Sequence, residues 1–195
     1  LFVWGGNRNY TLGLSHGNDS ALPERVKLKC NERRTPLIAG ARFNRPHVRD
    51  ISMSRWHTVL ATTEPRKNVY VCGIGSQARL GRSAQSLPTF EPLRDFSDTA
   101  NIVVAGSDHT IIVTETGAVY TFGSNRMAQL GYAIEEGLGV VSSSSGTKRS
   151  GATSHPNQHS LQGPVSDVSG VELDLQVTPR RVQGPLKREV IIGAA

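Results

Sequence analysis

Two histidines stand 52 residues apart in matching surroundings: His57 in SRWHTVLATT (54–63) and His109 in GSDHTIIVTE (106–115), the second beside Asp108. An imidazole next to a carboxylate is raw material for acid–base catalysis. The recurrence argues for a different role. A catalytic centre is built once, whereas a histidine returning with each repeat belongs to a frame, its ring nitrogens hydrogen-bonding to nearby backbone because buried polar groups need partners.

Other chemistries meet similar objections. VYVCGIGSQA places Gly73, Gly75 and Ala78 in the order of a dinucleotide fingerprint directly after a strand-like run, yet the following RLGRSAQSLP supplies no helix for the phosphates. His155 and His159 in HPNQH have an i, i+4 spacing, but they sit in a low-complexity stretch without a nearby cysteine or acid, so a solvated loop is expected rather than a metal site. No Gly-x-Ser-x-Gly elbow and no Cys-x-x-Cys pair occur. Serines and threonines of GTKRSGATS, beside Lys148 and Arg149, are candidate phosphorylation sites. The reading at this level is of a non-enzymatic chain with no catalytic residue, no cofactor and no metal.

The elements that position these residues are announced by a repeat. VWGGNRNYTLG (3–13), VYVCGIGSQARLG (69–81) and VYTFGSNRMAQLG (119–131) align Gly5 with Gly73 and Gly123, and Gly13 with Gly81 and Gly131. A leucine precedes each glycine of the second set: Leu12, Leu80 and Leu130. The first glycine of each pair ends a strand at a sharp turn; the Leu-Gly pair closes the loop, the glycine permitting a left-handed backbone. A third anchor, Pro-x-x-Val, occurs as PERV (23–26) and PRRV (179–182), with a degenerate PTFEPL between them.

Each unit thus predicts four short strands. A is VRDISM (48–53) or NIVVA (101–105), B is TVLAT or TIIVT, C is the VYTFG type, and D is a polar strand starting at its proline, which suits an outer edge. VTETGAVY reads as a hairpin turning at Gly117. Four antiparallel strands returning about every 50 residues are the pattern of propeller blades. The expected fold is all-β, a partial propeller of two to three blades. Residues 1–30 end a first blade, 48–94 form a second, 101–131 with 178–188 form a third, and VIIGAA in 189–195 begins another strand A. Two to three such blades cannot close a ring, so the chain, which opens without Met, reads as an excerpt whose edges favour association. Residues 31–47 and 132–177 are insertions; strand parity puts them on opposite faces, and the Ser-rich second one is expected to be disordered.

Composition agrees with this reading. Twenty glycines, ten prolines and 37% apolar residues suit a β-rich chain, and no apolar run reaches the roughly 18 residues of a membrane helix. Cys72 stands where Trp4 and Phe122 stand in the sister repeats, which points to a buried thiol and, with only two cysteines, to a reducing cytoplasmic or nuclear setting. The net charge of +6 would favour nucleic acid if gathered on one face, but the arginines are spread over many segments.

The V-Y-x-[WF]-G-x-N-x-x-x-Q-L-G core, the G-x-x-H-T strand start and Pro-x-x-Val together resemble the repeat of the regulator of chromosome condensation family, a seven-bladed β-propeller. NRNYTLG, VYVCGIGSQARLG, DHTIIVTETGAVYTFG and VIIGAA further resemble the inhibitor-of-Bruton's-tyrosine-kinase type, which joins ankyrin repeats, this propeller and BTB domains. That resemblance implies a protein-interaction scaffold within a BTB-type ubiquitin-ligase adaptor, its partners other proteins such as a cullin-ligase client. The alternative it implies is guanine-nucleotide exchange on a Ran-type GTPase with chromatin docking. Candidate contacts are Arg33, Arg34, Arg42 and Arg45 in the first insertion, and Arg8 and Arg126 on the C–D loops.

Overall fold

The computed structural model describes residues 1–28, 47–83, 85–134, 174–184, 186 and 189–194. Among these the chain is all-β, with ten strands and one short 3-10 turn at Ser76–Ala78. They are β1 (Phe2–Gly5), β2 (Ser20–Arg25), β3 (Val48–Met53), β4 (His57–Thr62), β5 (Val69–Gly73), β6 (Leu87–Pro92), β7 (Ala100–Ala105), β8 (His109–Thr114), β9 (Val119–Ser124) and β10 (Leu175–Arg181). No helix among the described residues is long and apolar enough to cross a membrane.

The strands form three antiparallel sheets: β1-β2, then β3-β4-β5-β6, then β7-β8-β9-β10 in simple meander order. These are blades of a β-propeller, the first represented by its outer two strands. Registers repeat from blade to blade. His57 faces Gly73 and Thr58 faces Cys72 in the second, as His109 faces Gly123 and Thr110 faces Phe122 in the third. Even the irregularity in strand A recurs, between Val48 and Asp50 and again between Ala100 and Ile102.

Burial follows from sheet stacking. β4 and β5 are buried along their whole length because the sheets on either side cover both faces, so their apolar runs do not alternate. Val59, Val71, Leu80, Leu93, Val103, Ile112 and Phe122 form one core between the second and third blades. Val3, Leu12, Tyr70, Cys72 and Phe90 form another between the first and second. Cys72 is fully buried as a free thiol, and burial pushes its ionisation well above the usual thiol range.

Two details differ from the sequence expectation. Strand D does not begin at its proline. β2 starts at Ser20 and β10 at Leu175, with Pro23 and Pro179 inside them, so residues 175–177 belong to the third blade and not to an insertion. A proline is accommodated there because D is the outermost strand, where one N–H direction has no neighbour to satisfy. VIIGAA forms no strand over its described residues; among these its backbone tie runs from Ile191 N–H to the carbonyl of Gly117 at 3.3 Å, and a single bridge to a turn does not make a ladder. The candidates Arg33, Arg34, Arg42 and Arg45, the His155–His159 pair, the candidate phosphorylation segment, and the placement and order of both insertions lie outside the described residues.

Candidate functional site: the interlocked loop face

The histidine repeat resolves into an inter-blade tie. His57 is fully buried at the head of β4. Its Nε2 lies 2.8 Å from Thr110 Oγ1 in the next blade, and its Nδ1 lies 3.1 Å from Ser54 Oγ. Thr110 Oγ1 donates to the Arg79 carbonyl at 2.8 Å, an atom that can only accept. The hydroxyl oxygen is therefore left to accept, so Nε2 carries the proton and Nδ1 accepts from Ser54. Burial, with the positive charge of Arg79 and then of His109 adding to it, lowers the His57 pKa to about 3 and keeps the ring neutral. The partners of the ring are thus hydroxyl groups of Ser54 and Thr110, not the backbone groups that the sequence suggests. A side-chain hydroxyl can both accept from the ring and donate onward to a carbonyl, which a backbone group cannot.

The same construction stands one blade earlier. Thr58 Oγ1 donates to the Thr11 carbonyl at 2.7 Å, as Thr110 does to Arg79. Thr11 and Arg79 each lie two residues before the second glycine of their loops, so the first two Leu-Gly loops are each caught by the threonine of the following blade. Gly13 packs under Phe90 and Cys72, and Gly81 beside Leu93 and Phe122, with φ of 65° and 66°. Gly131, with φ of 78°, has Val182 at 3.4 Å from where a Cβ would stand, and Gly5 meets nothing within 4 Å. His109 is half-buried, its pKa lowered by desolvation against the opposing pull of Asp108.

Thr110→Val keeps the shape but leaves the Arg79 carbonyl and the His57 Nε2–H without their partner. The expected loss is about 2 kcal/mol in urea unfolding, set by two groups left unsatisfied in a dry interface. A loss within experimental error would remove Thr110 from the tie.

Further polar residues hold the blades without repeating. Asn68 Nδ2 donates to the carbonyls of Thr62 and Ala100, and Asn68 Oδ1 accepts from Ala100 N–H at 3.0 Å. Asp50 Oδ2 accepts from Val103 N–H and Ser52 Oγ from Ala105 N–H, linking strand A to strand A. Repeat logic misses these three because Ala118, Ile102 and Val104 occupy the matching positions of the third blade. Asn7 and Asn125 do repeat, and organise their own loops: Oδ1 accepts from Leu12 and Leu130 N–H respectively, each at 3.0 Å. Their signal is the asparagine two residues after Gly5 and Gly123.

Further arginines stand on the loops at this end of the sheets. Arg8 and Arg126 are exposed on C–D loops, and Arg55 is exposed on the A–B loop of the second blade. Trp56 lies between two guanidinium groups, Arg55 at 4.9 Å and Arg79 at 5.7 Å from the ring centre. Arg79 is buried and paired with Asp108 at 2.5 Å. Among the described residues no group of three or more His, Cys, Asp or Glu converges as metal ligands would.

The family model described as "Regulator of chromosome condensation (RCC1) repeat" matches residues 102–129. The fission yeast BTB/POZ domain-containing protein 1 is 34% identical over 136 residues, 70% of this chain and 10% of that protein. The human Inhibitor of Bruton tyrosine kinase is 32% identical over 135 residues, 67% of this chain and 9% of that protein. The bovine Secretion-regulating guanine nucleotide exchange factor is 30% identical over 133 residues, 67% of this chain and 25% of that protein. The chain therefore spans a tenth to a quarter of the length of these relatives. Among solved structures, human WBSCR16 superposes with a TM-score of 0.64 at 18% identity, covering 98% of this chain and 38% of that one. Prp20p of Saccharomyces cerevisiae superposes at 0.60 and 16%, covering 95% and 34%.

Proposed function

The chain belongs to the regulator of chromosome condensation repeat family, and on that premise we propose that it is a protein-interaction module, part of a propeller within a BTB-type ubiquitin-ligase adaptor. The observation that carries the reading is the use made of the repeated polar residues. His57, Thr58, Thr110 and Arg79 are engaged in holding blades together, while Arg8, Arg55 and Arg126, which make no ion pair among the described residues, project from loops. Interfaces favour such arginines beside an aromatic ring. The likeness to a BTB/POZ domain protein and to a kinase inhibitor supports the adaptor form of the reading. A cytoplasmic or nuclear setting goes with it.

Exchange activity on a small GTPase is the second reading, favoured by the likeness to a secretion-regulating exchange factor. One paired experiment separates them. The full-length protein should co-purify with a cullin and leave GDP release from Ran-type GTPases unchanged. Accelerated GDP release without cullin association would replace the first reading by the second.

A further inference from the structure

The two inter-blade grooves of this face are built from equivalent positions and are finished differently. Between the second and third blades, Arg79 fills the groove; its guanidinium reaches Asp108 at 2.5 Å and Ser76 Oγ at 3.1 Å. The cation and its acid come from the same molecule, and the groove is closed.

Between the first and second blades the repeat register puts Thr11 in the place of Arg79 and Trp56 in the place of Asp108. The short threonine leaves a cavity of about 210 Å³, lined by Gly6, Arg8, Asn9, Thr11, Asp19 and Arg55. The acid of the closed groove is missing, and two arginines stand over the space instead. Neither Arg8 nor Arg55 makes an ion pair among the described residues. Asp19, the one carboxylate in the lining, already accepts from Asn7 N–H at 2.8 Å. The groove therefore holds two guanidiniums against one carboxylate. Asn9 Nδ2 donates to the Arg55 carbonyl at 2.9 Å, which ties the two loops at the groove.

We propose that this groove binds an acidic peptide segment of a partner protein, one glutamate or aspartate side chain entering between Arg8 and Arg55 to take the role that Asp108 plays internally one blade on. The proposal deepens the interaction reading and rests on it. Guanidinium forks match a carboxylate in geometry as well as charge, and a site with one net positive charge discriminates against neutral peptides. Trp56, under Arg55, is the natural reporter because the stacked guanidinium must shift or be neutralised when an acid arrives.

The test uses the full chain carrying Trp4→Phe, which leaves Trp56 as the sole tryptophan. It is titrated by fluorescence with a blocked peptide of alternating glutamate and serine, a matched glutamine peptide and a uridine oligonucleotide of similar length. The glutamate peptide should bind at least about tenfold more tightly than either competitor. Arg8→Glu with Arg55→Glu should abolish that preference, and Arg8→Lys with Arg55→Lys should retain most of it. Equal binding of the glutamine peptide, equal binding of the oligonucleotide, or an unchanged preference in the charge-reversed chain would each overturn the proposal. A partner protein that still binds the charge-reversed chain would sink this groove while leaving the interaction reading in place. A bound glutamate peptide with no partner retained by the full-length protein would do the reverse.

Discussion

Gly73→Ala should cost at least about 3 kcal/mol of stability, or prevent folding, while Gly184→Ala should cost roughly 1 kcal/mol. Both glycines have positive φ, 122° and 80°. At either glycine the positive φ alone costs an alanine about 1 kcal/mol or more. They differ in what a methyl group would meet. At Gly184 nothing lies within 4 Å. At Gly73 a Cβ would run into the Trp56 carbonyl oxygen and stand 2.6 Å from His57 Cα. Both are backbone atoms at the start of β4, so relief requires moving the strand that carries the inter-blade tie. Gly123 has the same relation to Asp108 and His109 Cα, the latter also at 2.6 Å, and should behave like Gly73. Urea unfolding of the variants measures the difference. Equal costs for Gly73 and Gly184 would mean that the turn is not as tightly clasped as described.

Stability should fall by about 2 kcal/mol between pH 7 and pH 5 on account of His57 alone. Burial lowers its pKa to about 3 in the folded chain, against 6.5 for the free side chain. The unfolded chain therefore binds a proton that the folded chain refuses, and stability rises with pH. The contribution is fully present above about pH 6.5 and is lost progressively as pH falls toward 3. His109, half-buried and shifted in the same direction, adds to the slope. His57→Gln preserves an N–H for Thr110 and cannot titrate, so its stability curve should be flatter over this window even though the variant is less stable at pH 7. A wild-type curve parallel to that of the variant from pH 7 to pH 5 would show that His57 does not resist protonation in the folded state.

The blade architecture was legible because it is periodic. Strand-rich runs, the paired glycines and the His-Thr start return at fixed intervals, and each copy tests the others. The periodicity also assigned Cys72 to the core, since Phe122 fills the same position one blade on. What does not repeat was invisible. Asn68, Asp50 and Ser52 hold neighbouring blades through side chains with no counterpart in the next blade, so nothing in the pattern distinguished them from surface polar residues. Strand D was misplaced by several residues because its ladder is set by pairing with strand C, Leu175 opposite Ser124 and Ser20 opposite Gly5, whereas the proline is only tolerated within it. The histidine is recognisable as a frame residue, and Ser54 is a near neighbour, but the partner that ties the blades, Thr110, comes from another strand 53 residues away, and no local signal names it.

The exposed arginines show the same limit from the other side. Arg8 and Arg126 could be placed on loops from the repeat alone. Arg55 could not be recognised as a neighbour of Arg8, because the groove joins two blades and is created by Thr11 being small where Arg79 is large. Comparing grooves, once both exist in space, is what separates a closed ion pair from an open one.

His57 and Thr110 act as a single fastening between blades, and a double-mutant cycle on the two tests this most directly. Unfolding free energies of the full chain, His57→Phe, Thr110→Val and the double variant should yield a coupling of at least about 1 kcal/mol, since either single change already breaks the shared bond. Strictly additive losses, with coupling indistinguishable from zero, would contradict it.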